Sequence, residues 1–295
     1  MVGSIGIDTI ETPFARHADL LGGSLSYACP AASFFARVGM VGIVGKDFPR
    51  KHFRLYRSFG IDVAGLQQVA GKTFRWSGVY EADMINRRTL STELNVFADF
   101  SPELPAGYRQ APFVLLGNIS PELQLHVLSQ AKRAKFVVAD TMDLWINTAR
   151  APLVKLIGKV HMLTLNDGEA RLLTEEHNLK SCADKIMEWG PRYVVIKKGE
   201  HGAMLFSKAG VFLVPAYPVD KVVDPTGAGD SFAGGFLGRL ARTGKVTDHA
   251  VREALLCGSV VASFGVEQFS VAGLRQLTAG KIARRLAELE RMTRV

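Results

Sequence analysis

The strongest constraint on this chain is a repeated alternation of short apolar runs with amphipathic stretches. Phe113–Leu116, Phe136–Ala139, His161–Leu165 and Tyr193–Ile196 are four or five residues long and mainly apolar. They are too short for a self-sufficient helix and suited to strands buried on both faces. Between them, residues 121–132, 143–157 and 167–189 carry apolar side chains at helical spacing. A strand, a helix and another strand in succession require a parallel pair with a crossover. Val2–Ile7, a helix over Ser24–Arg37 and a strand at Met40–Val44 extend the pattern toward the N-terminus. From Gly229 onward the chain reads mainly as helices.

Two stretches, residues 9–21 and 72–100, lack a helical period. In the second, Phe74, Trp76, Gly78 and Tyr80 fall on one face and Thr73, Arg75, Ser77 and Val79 on the other, the alternation of a strand. These insertions are expected to form a small separate sheet, a lid over the end of the main sheet where ligands of open α/β folds bind. The 295 residues contain no linker-like run and no repeat, so a single domain over 1–295 with these two insertions is expected.

Lys and Arg exceed Asp and Glu by 36 to 28, a formal charge of +8. That excess raises the question of nucleic acid. The basic runs, Lys46–Arg57 and Lys281–Arg294, are interleaved with apolar residues as on solvated helix faces, and no nucleic-acid-binding signature accompanies them. Neither nucleic acid nor membrane is therefore expected as a partner: the longest uncharged apolar stretch, Ala254–Val266, has 13 residues, against roughly 18 for a span. Cys29, Cys182 and Cys257 are isolated and form no CxxC pair, and no signal peptide is visible at the N-terminus, so a cytoplasmic location fits.

Chemistry concentrates in Val222–Phe236, VVDPTGAGDSFAGGF, which follows a strand-like stretch at Val211–Pro218 and runs into a helix. Gly227, Ala228 and Gly229 have little or no side chain, so successive backbone N–H groups can converge at the helix N-terminus and hold an anion. Asp230 at that point is suited to accept a proton from a hydroxyl attacking the bound phosphoryl group. A simple helix cap would explain one Asp and a glycine. It would not explain Ala233, Gly234 and Gly235 on the next turn, which ask for close backbone packing. Other signatures fail on spacing. Gly42–Asp47 lacks the GxxxxGK[ST] pattern, the third glycine of GxGxxG is replaced by Phe232, no serine lies in GxSxG, and the seven histidines show no ligand spacing.

The DPTGAGDSFAGGF segment resembles the C-terminal signature of the PfkB, or ribokinase-like, carbohydrate kinase family, and the similarity extends over nearly the whole chain. It implies a three-layer α/β/α fold with a mainly parallel central sheet and a small β lid. It also implies a phosphotransferase that moves the γ-phosphoryl of ATP to a hydroxyl of a sugar or nucleoside. Asp230 would be the catalytic base and the Gly227, Ala228 and Gly229 amides the anion hole. Asp8, closing the segment Val2–Asp8, and the pair Gly22 and Gly23 resemble acceptor-binding positions, with which Tyr27, Trp76 and Asn118 are grouped. Asn166-Asp167-Gly168-Glu169 is similar to the NxxE motif, so Asn166 and Glu169 would organise the nucleotide and Mg2+, Glu169 through water. Lys197 and Gly199 stand where the family lines the nucleotide site. Thr226 is counted there too, and Asp224 with Thr226 matches a monovalent-cation loop, which adds K+ to the expected cofactors.

Departures from the family pattern bear on the acceptor. Tyr27 stands where many members have Asn, and Lys197 where ribokinases often have Thr, so neither ribose nor fructose is indicated. Lys72–Asn86 resembles lids of bacterial members regarded as nucleoside kinases, where Phe74, Trp76 and Tyr80 could stack on a base or pack the lid sheet. Exposed aromatic faces on a lid would favour a homodimer through it. Asp140 and Asp143 are expected to cap loops, and a helix-terminus position is expected to lower the pKa of Asp230. The rival expectations are a non-catalytic nucleotide- or sugar-binding regulator on the same fold and, on charge alone, a basic nucleic-acid-binding protein.

Overall fold

The computed structural model describes residues 1–294. The chain begins with β1 (Gly6–Thr12) and β2 (Ala15–Gly22), then α1 (Ser24–Ser33), β3 (Gly39–Gly45), α2 (Arg50–Ser58), β4 (Asp62–Val69), β5 (Phe74–Tyr80) and β6 (Arg87–Glu93). Next come β7 (Phe113–Leu116), α3 (Pro121–Gln130), β8 (Phe136–Asp140), α4 (Asp143–Thr148), α5 (Arg150–Ile157) and β9 (Met162–Asn166). After them lie α6 (Asp167–Thr174), α7 (Leu179–Glu188), β10 (Tyr193–Lys197), β11 (Ala203–Ser207) and β12 (Gly210–Val214). The chain closes with α8 (Ala228–Thr243), α9 (Asp248–Gly265), α10 (Ala272–Arg275) and α11 (Ala279–Met292).

The central sheet runs β12-β11-β10-β9-β8-β7, parallel from β7 to β10 with an antiparallel β11–β12 edge. The parallel pair β3–β4 joins it through Val2, which bridges both Val41 and Leu116. Alternation along the buried strands sorts side chains between two helical layers. Val137, Leu163, Val194 and Ile196 pack in one core with Leu153 of α5, Leu173 of α6 and Ile186 of α7. Phe136, Val138, Met162, Tyr193 and Val195 face the other way, onto Phe236 and Leu240 of α8 and Val251 and Leu255 of α9. The result is a three-layer α/β/α arrangement.

A second sheet of four strands, β2-β1-β5-β6, projects from this body, with β1 and β5 parallel and both hairpins antiparallel. Here the first strand differs from the sequence expectation. Val2–Ile7 was expected to form one strand of the main body, yet only the Val2 end belongs to the central sheet, and Gly6 onward pairs with Phe74 onward in the lid. Parallel-sheet burial ends where Glu11, Arg16, His17 and Asp19 begin to reach solvent, so the chain passes from body to lid within one extended segment. The helical stretches 143–157 and 167–189 each split into two helices, the second at Glu175, which turns left-handed. Among the described residues no helix is long and apolar enough to cross a membrane.

The glycines after Asp230 serve packing. A Cβ at Gly234 would lie 2.2 Å from the Ala28 carbonyl oxygen, and one at Gly238 would lie 2.7 Å from the Ala32 carbonyl oxygen, so α8 and α1 meet backbone to backbone. We expect Gly234→Ala to destabilise the fold by about 3 kcal/mol through overpacking. Gly280→Ala, on α11 with nothing near its Cβ position, should be neutral or slightly stabilising. Chemical denaturation of the two variants checks this, and equal stability would show that the α1–α8 contact tolerates a side chain.

Candidate active site

The N-terminus of α8 is built to present bare amides. Gly227, at φ 74°, adopts a left-handed conformation that other residues enter at a cost, and no side chain caps the helix. Among the described residues, the N–H groups of Gly227, Gly229 and Asp230 have no hydrogen-bond acceptor, whereas that of Ala228 donates to the Pro225 carbonyl. Of the three amides expected from sequence to form an anion hole, those of Gly227 and Gly229 are therefore unbonded, as is that of the following Asp230. A Cβ at Gly227 would run into the Tyr27 ring at 2.2 Å, and one at Gly229 would sit 3.0 Å from the Lys197 Nζ. Thr226 is fixed just before the loop by its N–H, which donates to the Asp224 Oδ1 at 2.9 Å, and the Ser270 N–H holds the Asp224 Oδ2, also at 2.9 Å.

Opposite this loop, the C-terminal ends of parallel strands supply side chains. Asn166 and Lys197 are cross-strand partners at the ends of β9 and β10, and Asp140 closes β8. Asp140, expected to cap a loop, accepts the Thr141 N–H through Oδ1 at 3.1 Å and through the same oxygen also pairs with the Lys197 Nζ at 3.2 Å, with both side chains largely buried. Asn166 and Glu169 form a capping box on α6: the Asn166 Oδ1 accepts the Glu169 N–H and the Glu169 Oε2 accepts the Asn166 N–H, both at 2.7 Å. The NxxE motif therefore also fixes the direction in which the Glu169 carboxylate points.

Carboxylates crowd the cleft, and burial governs their protonation. Burial pushes Asp230 up to about 7, reinforced by Asp140 and Glu169 and opposed by Lys197 and Arg87. This reverses the expected lowering by the helix terminus, because the loss of solvent and the neighbouring carboxylates outweigh the dipole. Burial also pushes Glu169 up to about 7, with Lys197 opposing. Burial works against the Lys197 ammonium, but Asp140, Glu169 and Asp230 together hold its pKa above the ordinary range.

The start of α1 meets the same loop, its Tyr27 ring lying against Gly227. Asp8, 3% exposed, lies directly against the Gly22 backbone, and burial with help from Asp224 pushes its carboxyl up to about 7. Gly23, at φ 84°, packs against the backbone of residues 4–6, where a side chain would not fit. The Asp8 Oδ1 and the Tyr27 hydroxyl are buried with no hydrogen-bond partner, although Asp224, Asp8, Tyr80 and Asp230 all lie close enough to perturb that hydroxyl. Such orphaned groups demand a partner that the protein itself does not supply. Trp76, half-buried, is the β5 partner of Asp8 in the parallel register, so the two side chains share a face of the lid.

Other predicted positions stand differently. The Asn118 amide is already engaged, its Oδ1 accepting the Trp145 indole N–H at 2.8 Å and its Nδ2 contacting the Met142 Sδ at 3.0 Å. Gly199 opens an exposed turn at φ 55°, with no atom near its Cβ position. Two lid residues escaped the sequence reading as site residues in their polar role. The Tyr80 hydroxyl accepts a hydrogen bond from the Thr226 hydroxyl at 3.1 Å, and Arg87, opposite Tyr80 on β6, acts electrostatically on both Asp230 and Glu169. The alternation of β5 placed Tyr80 on the inner face, but only the turn length between β5 and β6 could have paired it with Arg87.

The profile for "pfkB family carbohydrate kinase" matches residues 14–275. This chain belongs to the pfkB family. Cytidine kinase of Thermococcus kodakarensis is 32% identical to it over 263 residues, spanning 86% of this chain and 92% of the relative. In three dimensions, the nucleoside kinase of Methanocaldococcus jannaschii, an archaeal member of the ribokinase family, superposes with a TM-score of 0.77 at 20% identity, covering 97% of each chain. The nucleoside kinase of Burkholderia thailandensis in its complex with ADP and inosine gives 0.77 at 17% identity, over 98% of this chain and 94% of that one. The pfkB-family chain is accordingly a sugar or nucleoside kinase, a phosphotransferase with a hydroxyl acceptor.

The buried acid of this kinase should weaken its ligand-free fold in a pH-dependent way. Asp8 holds a proton up to about pH 7 when folded and releases it near the ordinary carboxylate value when unfolded, so stability falls as pH rises between those values and stays low above 7. Asp8→Asn should raise stability at pH 8 by roughly 1–3 kcal/mol, with the gain fading toward pH 4. Thermal melts at the two pH values decide, and a pH-independent effect would contradict the burial argument.

Proposed function

We propose that this kinase transfers the γ-phosphoryl group of ATP to a sugar hydroxyl of a nucleoside. The observation that carries this reading is the convergence, at one point, of unbonded α8 amides, the Asp230 carboxylate and two orphaned polar groups, the Asp8 Oδ1 and the Tyr27 hydroxyl. Asp8 and Tyr27 would take acceptor hydroxyls, with Gly22 and Gly23 letting the sugar lie against backbone. Trp76, sharing a face with Asp8, would cover the base. The names of the relatives, a cytidine kinase and two nucleoside kinases, support a nucleoside over a free sugar.

In the reaction, the acceptor oxygen attacks the γ-phosphorus, the bond to the β–γ bridging oxygen breaks, and ADP leaves with that electron pair. Asp230 takes the acceptor proton late in the step, when phosphoryl transfer is well advanced. The Gly227, Gly229 and Asp230 amides stabilise charge on the transferring oxygens, and Lys197, beside Gly229, adds a fixed positive charge. A Mg2+ ion arriving with the phosphates would neutralise their charge. Among the described residues no three His, Cys, Asp or Glu side chains group closely enough to hold a metal ion alone. That fits Glu169 and Asp140 acting through water and does not fit an all-protein cage. Asp224, buried and held by the Thr226 and Ser270 N–H groups, would be suited to help hold a monovalent cation such as K+.

Asp230→Asn should lower turnover by roughly 10³-fold while nucleotide binding persists. In the parent, turnover should rise as pH passes through about 7, where Asp230 becomes a free carboxylate. A coupled ADP assay against nucleosides, pentoses and hexoses measures both. An Asn variant as active as the parent would remove Asp230 from the role of base, and activity on free sugars alone would overturn the nucleoside assignment.

A further inference from the structure

We infer that the cavity between α2, α10 and the lid strand β2 is a second nucleotide site, separate from the catalytic cleft, whose occupancy is felt at the acceptor side of that cleft. The cavity measures about 770 Å3, a size suited to a small molecule, and it is lined by none of the residues given a part in phosphoryl transfer. Lys51 and Arg54, three residues apart and so on one face of α2, are exposed along it, as is Arg275 at the end of α10. None of these three side chains has an ion-pair or hydrogen-bond partner among the described residues, and the one carboxylate on the cavity wall, Asp19, is tied to Arg75 at 3.0 Å. Three cations therefore face one concave space without a counter-ion. The basic run Lys46–Arg57, expected from sequence to be a solvated helix face, lends two of its charges to this cavity.

Rings make up much of the remaining wall: Phe34, Phe59, Phe269 and the imidazole of His52. His52 is 7% exposed, and its Nε2 is buried with no hydrogen-bond partner. Burial, with the charge of Lys51 beside it, pushes the imidazole down to about 4, so the ring is neutral at pH 7 and Nε2 accepts or donates according to tautomer. A buried polar atom left open in a residue that lines a cavity calls for a partner from outside the protein. The cations ask for a polyanion, the rings for a flat apolar group, and the imidazole for a heteroatom on that group. A nucleoside di- or triphosphate combines all three. An acyl chain would leave the cations and His52 unused, and inorganic polyphosphate would leave the rings unused.

Two lining residues connect the cavity to the catalytic cleft. The Ser270 hydroxyl donates to the Leu21 carbonyl at 2.5 Å, and the Ser270 N–H holds the Asp224 Oδ2 at 2.9 Å. Leu21 leads directly into Gly22, against which Asp8 packs. Because β2 belongs to the lid sheet and α2 packs on the body, a nucleotide in the cavity touches both and favours one lid position over another. Seating an acceptor against Asp8 selects among the same positions, so the two ligands alter each other's affinity, and by the same factor.

The test is equilibrium dialysis of the parent, Arg275→Glu, His52→Phe and the double variant Lys51→Glu with Arg54→Glu. The probes are the four ribonucleoside triphosphates and inorganic triphosphate. At least one nucleotide should occupy a site in the parent that each variant weakens by about tenfold or more, and inorganic triphosphate should bind that site at least about tenfold more weakly than the nucleotide. The charge-reversal variants should keep the parent's kcat when that site is empty. As the nucleotide fills it, the acceptor KM of the parent should shift by about threefold or more, and Arg275→Glu should remove the shift. The inference is overturned if every nucleotide binds the variants as it binds the parent, if inorganic triphosphate binds as tightly as the nucleotide, or if the acceptor KM does not move. Sedimentation showing parent dimers that Arg275→Glu separates would also overturn it, by giving the cavity to a second copy of the chain. Binding is read without turnover, so a parent that phosphorylates nothing would remove the kinase reading and leave the nucleotide site to stand or fall on dialysis.

Discussion

The site depends on one packing constraint, the backbone contact between α1 and α8. Because Gly234 and Gly238 let α8 lie directly on Ala28 and Ala32, the N-terminus of α8 is held beside the N-terminus of α1. About two turns earlier, Gly227 rests against the Tyr27 ring, and α1 itself starts just after Gly23, its N-cap, close to Asp8. The unbonded α8 amides, Asp230, Tyr27 and Asp8 are therefore placed by a single helix pair. A side chain inserted at that contact would move Asp230 relative to Asp8 as well as weaken the core, and misplacement by about 1 Å is enough to cost a large factor in rate.

The second feature is electrostatic. Three carboxyl groups pushed up to about 7, on Asp8, Glu169 and Asp230, share one cleft with a buried lysine. A fold optimised for stability alone would not keep them, since each charge is buried at a cost and none is fully paired. The arrangement becomes sensible with substrates in place, where hydroxyl protons, phosphate oxygens and cations complete the unsatisfied groups. Pushed up to about 7, the Asp230 carboxylate is also a better proton acceptor than an ordinary one, which suits the role of base proposed for it.

Much of this was legible before the structure. The alternation of Phe113–Leu116, Phe136–Ala139, His161–Leu165 and Tyr193–Ile196 with helical stretches determines a parallel sheet because length and burial leave few alternatives. The AGGF run after Asp230 signalled close packing, since small residues at consecutive helical positions have no other common use. What sequence could not supply was long-range pairing. The Lys197–Asp140 ion pair joins residues 57 apart, and Tyr80 meets Thr226 across 146 residues. The raised pKa of Asp230 depends on Asp140 and Glu169 folding around it, which helix-terminus logic alone gets backwards. The crossing of the first strand from body to lid was missed for a similar reason: apolar Val2–Ile7 reads the same whichever sheet it joins.

The central claim is that burial among carboxylates, and not the helix terminus, sets the chemistry of Asp230. It can be examined without turnover by labelling the aspartate carboxyl carbons with 13C and following their chemical shifts with pH, using the spectrum of the Asp230→Asn protein to assign the resonance. The account predicts that Asp230 titrates near pH 7 in the ligand-free enzyme. A titration near the ordinary carboxylate value, about 4, would contradict it.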